Sequence, residues 1–201
     1  MKREDIKINK NNHFIGSWII DDTSINEIID YFNKSYESLK VSKTSQGKID
    51  KLKKDSMNLS LNAKKIKKEK LNFFVSYFNH LKDCLEDYKN QWDLSSDIWK
   101  EMQIGNFTLE KFPISGHHDN SYYDRNNLFT SHKTLSWLTF LNDLEGDEGE
   151  LFFKYYEHSI KPKKGLTLIF PSDWMHSHQQ KKIFSKEKFT IRGNFGFVIK
   201  K

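Results

Sequence analysis

The chain has a single cysteine, Cys84, among its 201 residues. One cysteine cannot form a disulfide within the chain, and the composition fits a reducing compartment. No apolar run approaches the length of a membrane-spanning helix. Met1-Lys2-Arg3-Glu4-Asp5 is not followed by an apolar signal segment. These absences make a cytoplasmic protein with no membrane partner the simple expectation. Internal repeats and low-complexity segments are also lacking. Ser115, Ser177 and Cys84 have no neighbours that would make any of them a catalytic nucleophile.

What is present suits a packed core. Hydrophobic residues make up 36% and aromatic residues 14%, with 16 Phe. The length fits one domain, 1–201, with 22–99 mainly helical and 100–200 forming the β core. A net charge of +6 and a pI near 9.1 permit an acidic partner without identifying one. The basic run Lys64-Lys65-Ile66-Lys67-Lys68-Glu69-Lys70 lacks interleaved aromatics. It therefore reads as the solvated start of a helix rather than a nucleic-acid contact.

Residues 1–13 are a polar lead-in, and His13–Ile20 reads as a strand. Ser24 and Glu27 have capping-box spacing. Behind them Ile25, Ile28, Ile29 and Phe32 form a helical stripe. From Lys34 to Ser60 the periodicity fails and Gly47 marks a turn, so this stretch is expected to be an active-site lid or a mobile segment. A second helix follows, with Leu71, Phe74, Val75, Phe78, Leu81, Leu85 and Tyr88 on one face, lying across the outside of a sheet. Asn90–Trp99 is a connection anchored by Trp92 and Trp99. Then the period shortens. Gly105–Phe112, Leu135–Leu141, Glu150–Phe153, Leu166–Phe170 and Lys188–Ile199 read as strands, with a tight turn at Glu145–Gly149. A helical start followed by many short strands predicts an α+β chain with a mostly β core. The expected form is a double-stranded β-helix, a cupin-like jelly roll, with N-terminal supporting helices.

The chemistry concentrates late in the chain. His117 and Asp119 are two residues apart, so on a strand both point to one side and His118 to the other. A mononuclear iron site needs two imidazoles and one carboxylate on one face. His176 and His178 share a face, and spacing alone does not choose between them. Each of the eight histidines taken singly is better explained as a loop or core residue, and His132 and His158 have no partner at useful spacing. On the last strand Lys188, Thr190 and Arg192 alternate with Phe189 and Ile191.

These residues sit in a recognisable order. His117-His118-Asp119, Leu138-Thr139-Phe140-Leu141-Asn142-Asp143, Gly149-Glu150-Leu151-Phe152 and Ile160-Lys161-Pro162-Lys163-Lys164-Gly165 come first. Leu168-Ile169-Phe170-Pro171, Asp173-Trp174-Met175-His176-Ser177-His178 and Lys188-Phe189-Thr190-Ile191 complete the set. The set resembles the 2-oxoglutarate- and Fe(II)-dependent oxygenases, in the prolyl-4-hydroxylase-like branch that includes bacteriophage members. The resemblance implies iron ligands His117, Asp119 and His178. It selects His178 because Lys188 follows it by ten residues, the branch's spacing for the lysine that binds 2-oxoglutarate. Thr190 is a further cosubstrate contact and Arg192 a rival anion clamp. Phe112 and Phe140 stand where the branch commonly has tyrosines, so the expectation is cosubstrate binding that is weaker or supported by other groups such as Thr139, Thr167 or Thr190.

The resemblance also implies Fe(II), 2-oxoglutarate and O2, with ascorbate as an optional reductant. The expected reaction is hydroxylation of an unactivated C–H on a peptidyl, including prolyl, or small-molecule substrate, giving succinate and CO2. The competing classes are a non-enzymatic cupin-like metal or ligand-binding module and a nucleic-acid demethylase. The sequence sets no oligomeric state.

Overall fold

The computed structural model describes residues 1–8, 13–21, 23–43, 48–94, 96, 102–121 and 133–197, the side chains of 119–121 excepted. Two antiparallel sheets form its centre. The larger has eight strands: β1 (Lys2–Arg3), β2 (Gly16–Ile19), β3 (Lys40–Val41), β4 (Met57–Leu61), β5 (Met102–Phe112), β7 (Lys133–Phe140), β10 (Leu166–Pro171) and β12 (Lys188–Phe197). Their spatial order is β1-β2-β10-β7-β12-β5-β4-β3. The smaller comprises β6 (His118–Ser121), β8 (Leu151–Phe153), β9 (His158–Ile160) and β11 (His178–Gln180), in the order β6-β11-β8-β9.

Strand alternation gives the large sheet two different faces. From β7 and β10, Leu138, Phe140, Leu166, Leu168 and Phe170 meet Leu151, Phe153 and Ile160 of the small sheet in one apolar cluster. The opposite face carries Trp137, Ile169 and Ile191 into a larger cluster with helices α1 (Ser24–Lys34) and α3 (Asn72–Gln91). The molecule is thus a two-sheet jelly roll with helices on the outside of one sheet, the architecture its pattern predicts.

Several local expectations change. α1 begins at Ser24, but Thr23 is the N-cap and makes no side-chain capping bond, so the capping box does not form. Ser24 is instead buried. On α3, Val75 is 51% exposed while Tyr77 and Cys84 are fully buried, so the apolar stripe runs slightly around the helix from the one expected. The basic run forms α2 (Ala63–Glu69), which Asn62 caps by accepting from the Lys65 amide. Trp92 packs on Phe14, while Trp99, Gly47 and His132 lie outside the described residues.

The largest difference concerns Lys34–Ser60. This stretch contains a 3-10 turn at Tyr36–Ser38, then β3 and the start of β4, which pair with each other. β4 continues the large sheet by pairing with β5 from Met57↔Lys111 to Leu61↔Phe107. Ser42, Lys54 and Ser56 are buried. The segment lacks apolar periodicity because its buried residues other than Leu59 are polar, and these are held by partners rather than by hydrophobic packing.

Candidate active site

β12 sets the site. It pairs with β5 through Lys188↔Phe112, Thr190↔Glu110 and Arg192↔Thr108, and with β7 through Thr190↔Phe140 and Arg192↔Leu138. Residues opposite one another share a face. Lys188, Thr190 and Arg192 therefore face the space between the sheets together with Phe112, Glu110 and Phe140. Phe189 and Ile191 face the helices, where Phe189 meets Phe32 edge-on.

Lys188 is fully buried. Its Nζ donates to the Gly149 carbonyl at 2.7 Å and lies 5.3 and 4.9 Å from the ring centres of Phe112 and Phe140. The two phenylalanines offer ring faces where hydroxyls would otherwise stand. Their attraction to a cation is real but does not replace an anion. Burial pushes the Lys188 ammonium well below the usual lysine range, and the Glu110 carboxylate partly opposes this. Among the described residues no carboxylate bonds it. Next to it on the same face, the Thr190 hydroxyl is buried without a hydrogen-bond partner among the described residues.

Gly149 holds the acceptor carbonyl at φ +61°, a left-handed conformation that suits glycine. A Cβ there would come within 2.5 Å of Leu144 Cδ1 and 3.2 Å of Lys188 Cδ. Thr139 and Thr167 do not join this group. They face the helices, where the Tyr77 and Thr139 hydroxyls are 2.7 Å apart and those of Thr139 and Thr167 are 2.8 Å apart. Arg192 is engaged too: its Nε donates to Glu110 Oε2 at 2.7 Å.

The two late histidines differ sharply. His176 uses both ring nitrogens, Nδ1 lying 2.6 Å from Asp173 Oδ1 and Nε2 2.9 Å from the His13 carbonyl. His178 donates Nδ1–H to the His176 carbonyl at 2.9 Å, which leaves the Nε2 lone pair outward from the ring for another partner. A histidine metal ligand is usually oriented in this way. Burial, with smaller contributions from Arg192, His176 and Lys188, pushes the His178 pKa down to about 4 against the His176 carbonyl's opposite pull, so the ring is neutral.

The early histidines are placed the other way round from the expectation. His117 donates Nε2–H to the Leu52 carbonyl at 2.7 Å, with Nδ1 3.3 Å from the Ser115 carbonyl. His118 was expected to point away. It instead lies within the electrostatic reach of Lys54, Glu110, Arg192 and His178, and burial followed by the Lys54 charge pushes its pKa well below the usual value. The reason is register: His118 opens β6 opposite Gln180, with an irregularity between Gln180 and His178, which pairs with Ser121. Spacing says which residues share a side but not which side is inward. The Asp119 side chain lies outside the described part. No group of three or more His, Cys, Asp or Glu able to hold a metal occurs among the described residues.

Sequence reasoning missed Lys54 and Glu110. Burial alone would raise the Glu110 carboxyl, but Arg192 and Lys54 outweigh it and hold it well below the usual carboxylate range. A carboxylate at Glu110 within the strand Gly105–Phe112 was the available signal.

The fold is a double-stranded β-helix with the Lys188 cation facing the space between its sheets. Residues 102–196 of the chain match the model of the 2OG-Fe(II) oxygenase superfamily. It is accordingly a dioxygenase whose cofactor set is Fe(II), 2-oxoglutarate and O2. Solved structures with the same fold include a Pseudomonas putida prolyl-4-hydroxylase, 12% identical over 92% of this chain and 94% of that one, with a TM-score of 0.69. A viral collagen prolyl hydroxylase from Paramecium Bursaria Chlorella virus-1, in a 2OG complex, is 14% identical over 94% and 98% of the two chains, TM-score 0.68. A Trichoplax adhaerens prolyl hydroxylase, in complex with a hypoxia inducible factor oxygen degradation domain peptide fragment, is 12% identical over 92% and 84%, TM-score 0.66. No curated protein matches the sequence. No helix among the described residues is long and apolar enough to cross a membrane.

Proposed function

We propose that the protein hydroxylates an unactivated C–H of a peptidyl substrate, prolyl residues included, with succinate and CO2 as coproducts. The observation that carries this reading is the buried pair of Lys188 and Thr190. A desolvated ammonium and an unbonded hydroxyl on one face are costly unless a ligand meets them. A carboxylate satisfies both at once, and the far carboxylate of 2-oxoglutarate is the one the superfamily supplies. The fold shared with prolyl hydroxylases, one of them bound to a peptide, supports a peptidyl substrate.

The residues present fit the cofactors. His178, neutral and with Nε2 available, would hold Fe(II). Lys188 and Thr190 would orient 2-oxoglutarate, while Phe112, Phe140 and Leu138 keep water from that end. Bound Fe(II) and 2-oxoglutarate supply the O2 activation. The resemblance implies His117 and Asp119 as the other ligands. His117 would have to release the Leu52 carbonyl to serve, whereas His118 lies within the electrostatic reach of His178. Arg192 acts on Glu110 rather than as the principal anion clamp.

The test is anaerobic addition of Fe(II) and 2-oxoglutarate, read by the metal-to-ligand charge-transfer band. Succinate release with proline-containing peptides follows. His178→Ala should abolish the band, and His176→Ala should retain it. Comparing His117→Ala with His118→Ala identifies the second imidazole. Comparing Asp119→Ala with Asp124→Ala, the next carboxylate in the chain, identifies the acid. Absence of the band in the unaltered protein, with Fe(II) and 2-oxoglutarate saturating, would sink the reading.

A further inference from the structure

Glu110 and its partners form a buried polar knot that the reaction as described does not use. Lys54 and Glu110 are 3% and 2% exposed, and their side chains meet at 2.7 Å. The Ser56 hydroxyl donates to the same Glu110 oxygen at 2.9 Å, and Ser42 lies 2.7 Å from Ser56. Arg192 occupies the other oxygen. Lys54 therefore comes from the segment that joins β3 to β4, yet its charge is anchored on β5 inside the barrel.

The same short segment grips the stretch that enters β6. The Leu52 carbonyl accepts from His117 Nε2, the Asp55 amide donates to the His117 carbonyl at 3.0 Å, and Lys54 forms an isolated β-bridge with His118. Three successive contacts thus pin His117 and His118 from outside, and a fourth, Lys54 to Glu110, pins the strap itself. Residues 52–55 precede the part of the chain that matches the superfamily model.

We infer that Lys54 is a positioning residue. Through Glu110 it seats the Leu52–Asp55 strap and thereby fixes the His117–His118 stretch relative to His178, an inference that rests on the oxygenase reading for its metal-binding consequence. A long lysine stem spans from the strap to the barrel interior, and the carboxylate at its end locks one register. Two hydroxyls and a guanidinium complete the protein coordination of Glu110.

Lys54→Met keeps the stem and removes the charge. Hydrogen exchange at the Asp55 amide, which donates to His117, should accelerate by about tenfold or more as the strap opens locally. The Fe(II) concentration needed for the charge-transfer band should rise by at least about fivefold, and Lys54→Arg should recover part of both losses. Unchanged exchange in Lys54→Met overturns the clamp. Faster exchange with an unchanged Fe(II) requirement overturns the positioning role and leaves only a cover. Should Lys54→Met not fold, Ser56→Ala removes one donor to Glu110 and keeps every charge. It should produce smaller changes of the same sign, and no change in either readout overturns the proposal. An unaltered protein that binds no Fe(II) would overturn the oxygenase reading, and the exchange result would then decide the clamp by itself.

Discussion

The two faces of β12 obey opposite rules. Toward the helices, Phe189 and Ile191 meet Phe32, Tyr77 and their neighbours, and the polar atoms at that boundary pair with one another through Tyr77, Thr139 and Thr167. Toward the small sheet, the same strand presents Lys188, Thr190 and Arg192, of which only Arg192 has an ionic partner among the described residues. The first face is finished by folding. The second retains an ammonium and a hydroxyl that folding leaves without a matching anion. Desolvated groups are tolerated where a ligand completes them, and the proposed cosubstrate site rests on this contrast within one strand.

The comparison breaks hardest on the helix side. Phe74 is fully buried among Phe73, Phe78 and Phe107. Phe74→Ala should cost about 3–5 kcal/mol, measured by urea unfolding. 2-Oxoglutarate affinity of the folded fraction should remain unaltered, and a loss of affinity there would mean that the two faces are not independent. On the inward side the expected effect is smaller in energy but confined to the ligand. Lys188→Ala removes a charge-assisted contact of about 1.5–3 kcal/mol, which weakens 2-oxoglutarate binding roughly ten- to a hundredfold. Fe(II) binding should persist, and Lys188→Arg should recover only part because the guanidinium differs in shape. An anaerobic titration of Fe(II)-loaded protein reads both, and transfer of the loss to Arg192→Ala would move the clamp. The smallest effect is chemical. Cys84 is on the finished face, where burial pushes its thiol up to about 12. Alkylation by iodoacetamide at pH 8 should proceed only as fast as the protein opens, and prompt labelling would show that α3 is less closed than its packing indicates.

Much of the architecture was legible because its signals are periodic. The stripe from Phe74 to Tyr88 and the alternation from Lys188 to Arg192 each depend on a repeat that the backbone enforces. The β3–β4 strap was illegible because Ser42, Lys54 and Ser56 are polar residues buried by mutual bonding, and no hydropathy pattern registers that. The facing of His117 and His118 was half legible: parity separated them, but the pairing of β6 with β11 decides which one turns inward. His178 differed from His176 through a hydrogen bond to a backbone carbonyl, a distinction that belongs to the folded chain. The capping box failed for a related reason, since tertiary packing buries Ser24.

The large sheet ends on each side in a strand of two residues, Lys2–Arg3 and Lys40–Val41. Lys2, Arg3 and Lys40 are exposed. An open strand edge is a template for pairing with another chain, and length and neutrality make it adhesive. Among the described residues each margin pairs over only two residues, and its basic side chains repel an identical edge. An eight-stranded sheet can thereby remain open-ended without polymerising, and lengthening either margin with alternating apolar residues would be a direct route to aggregation.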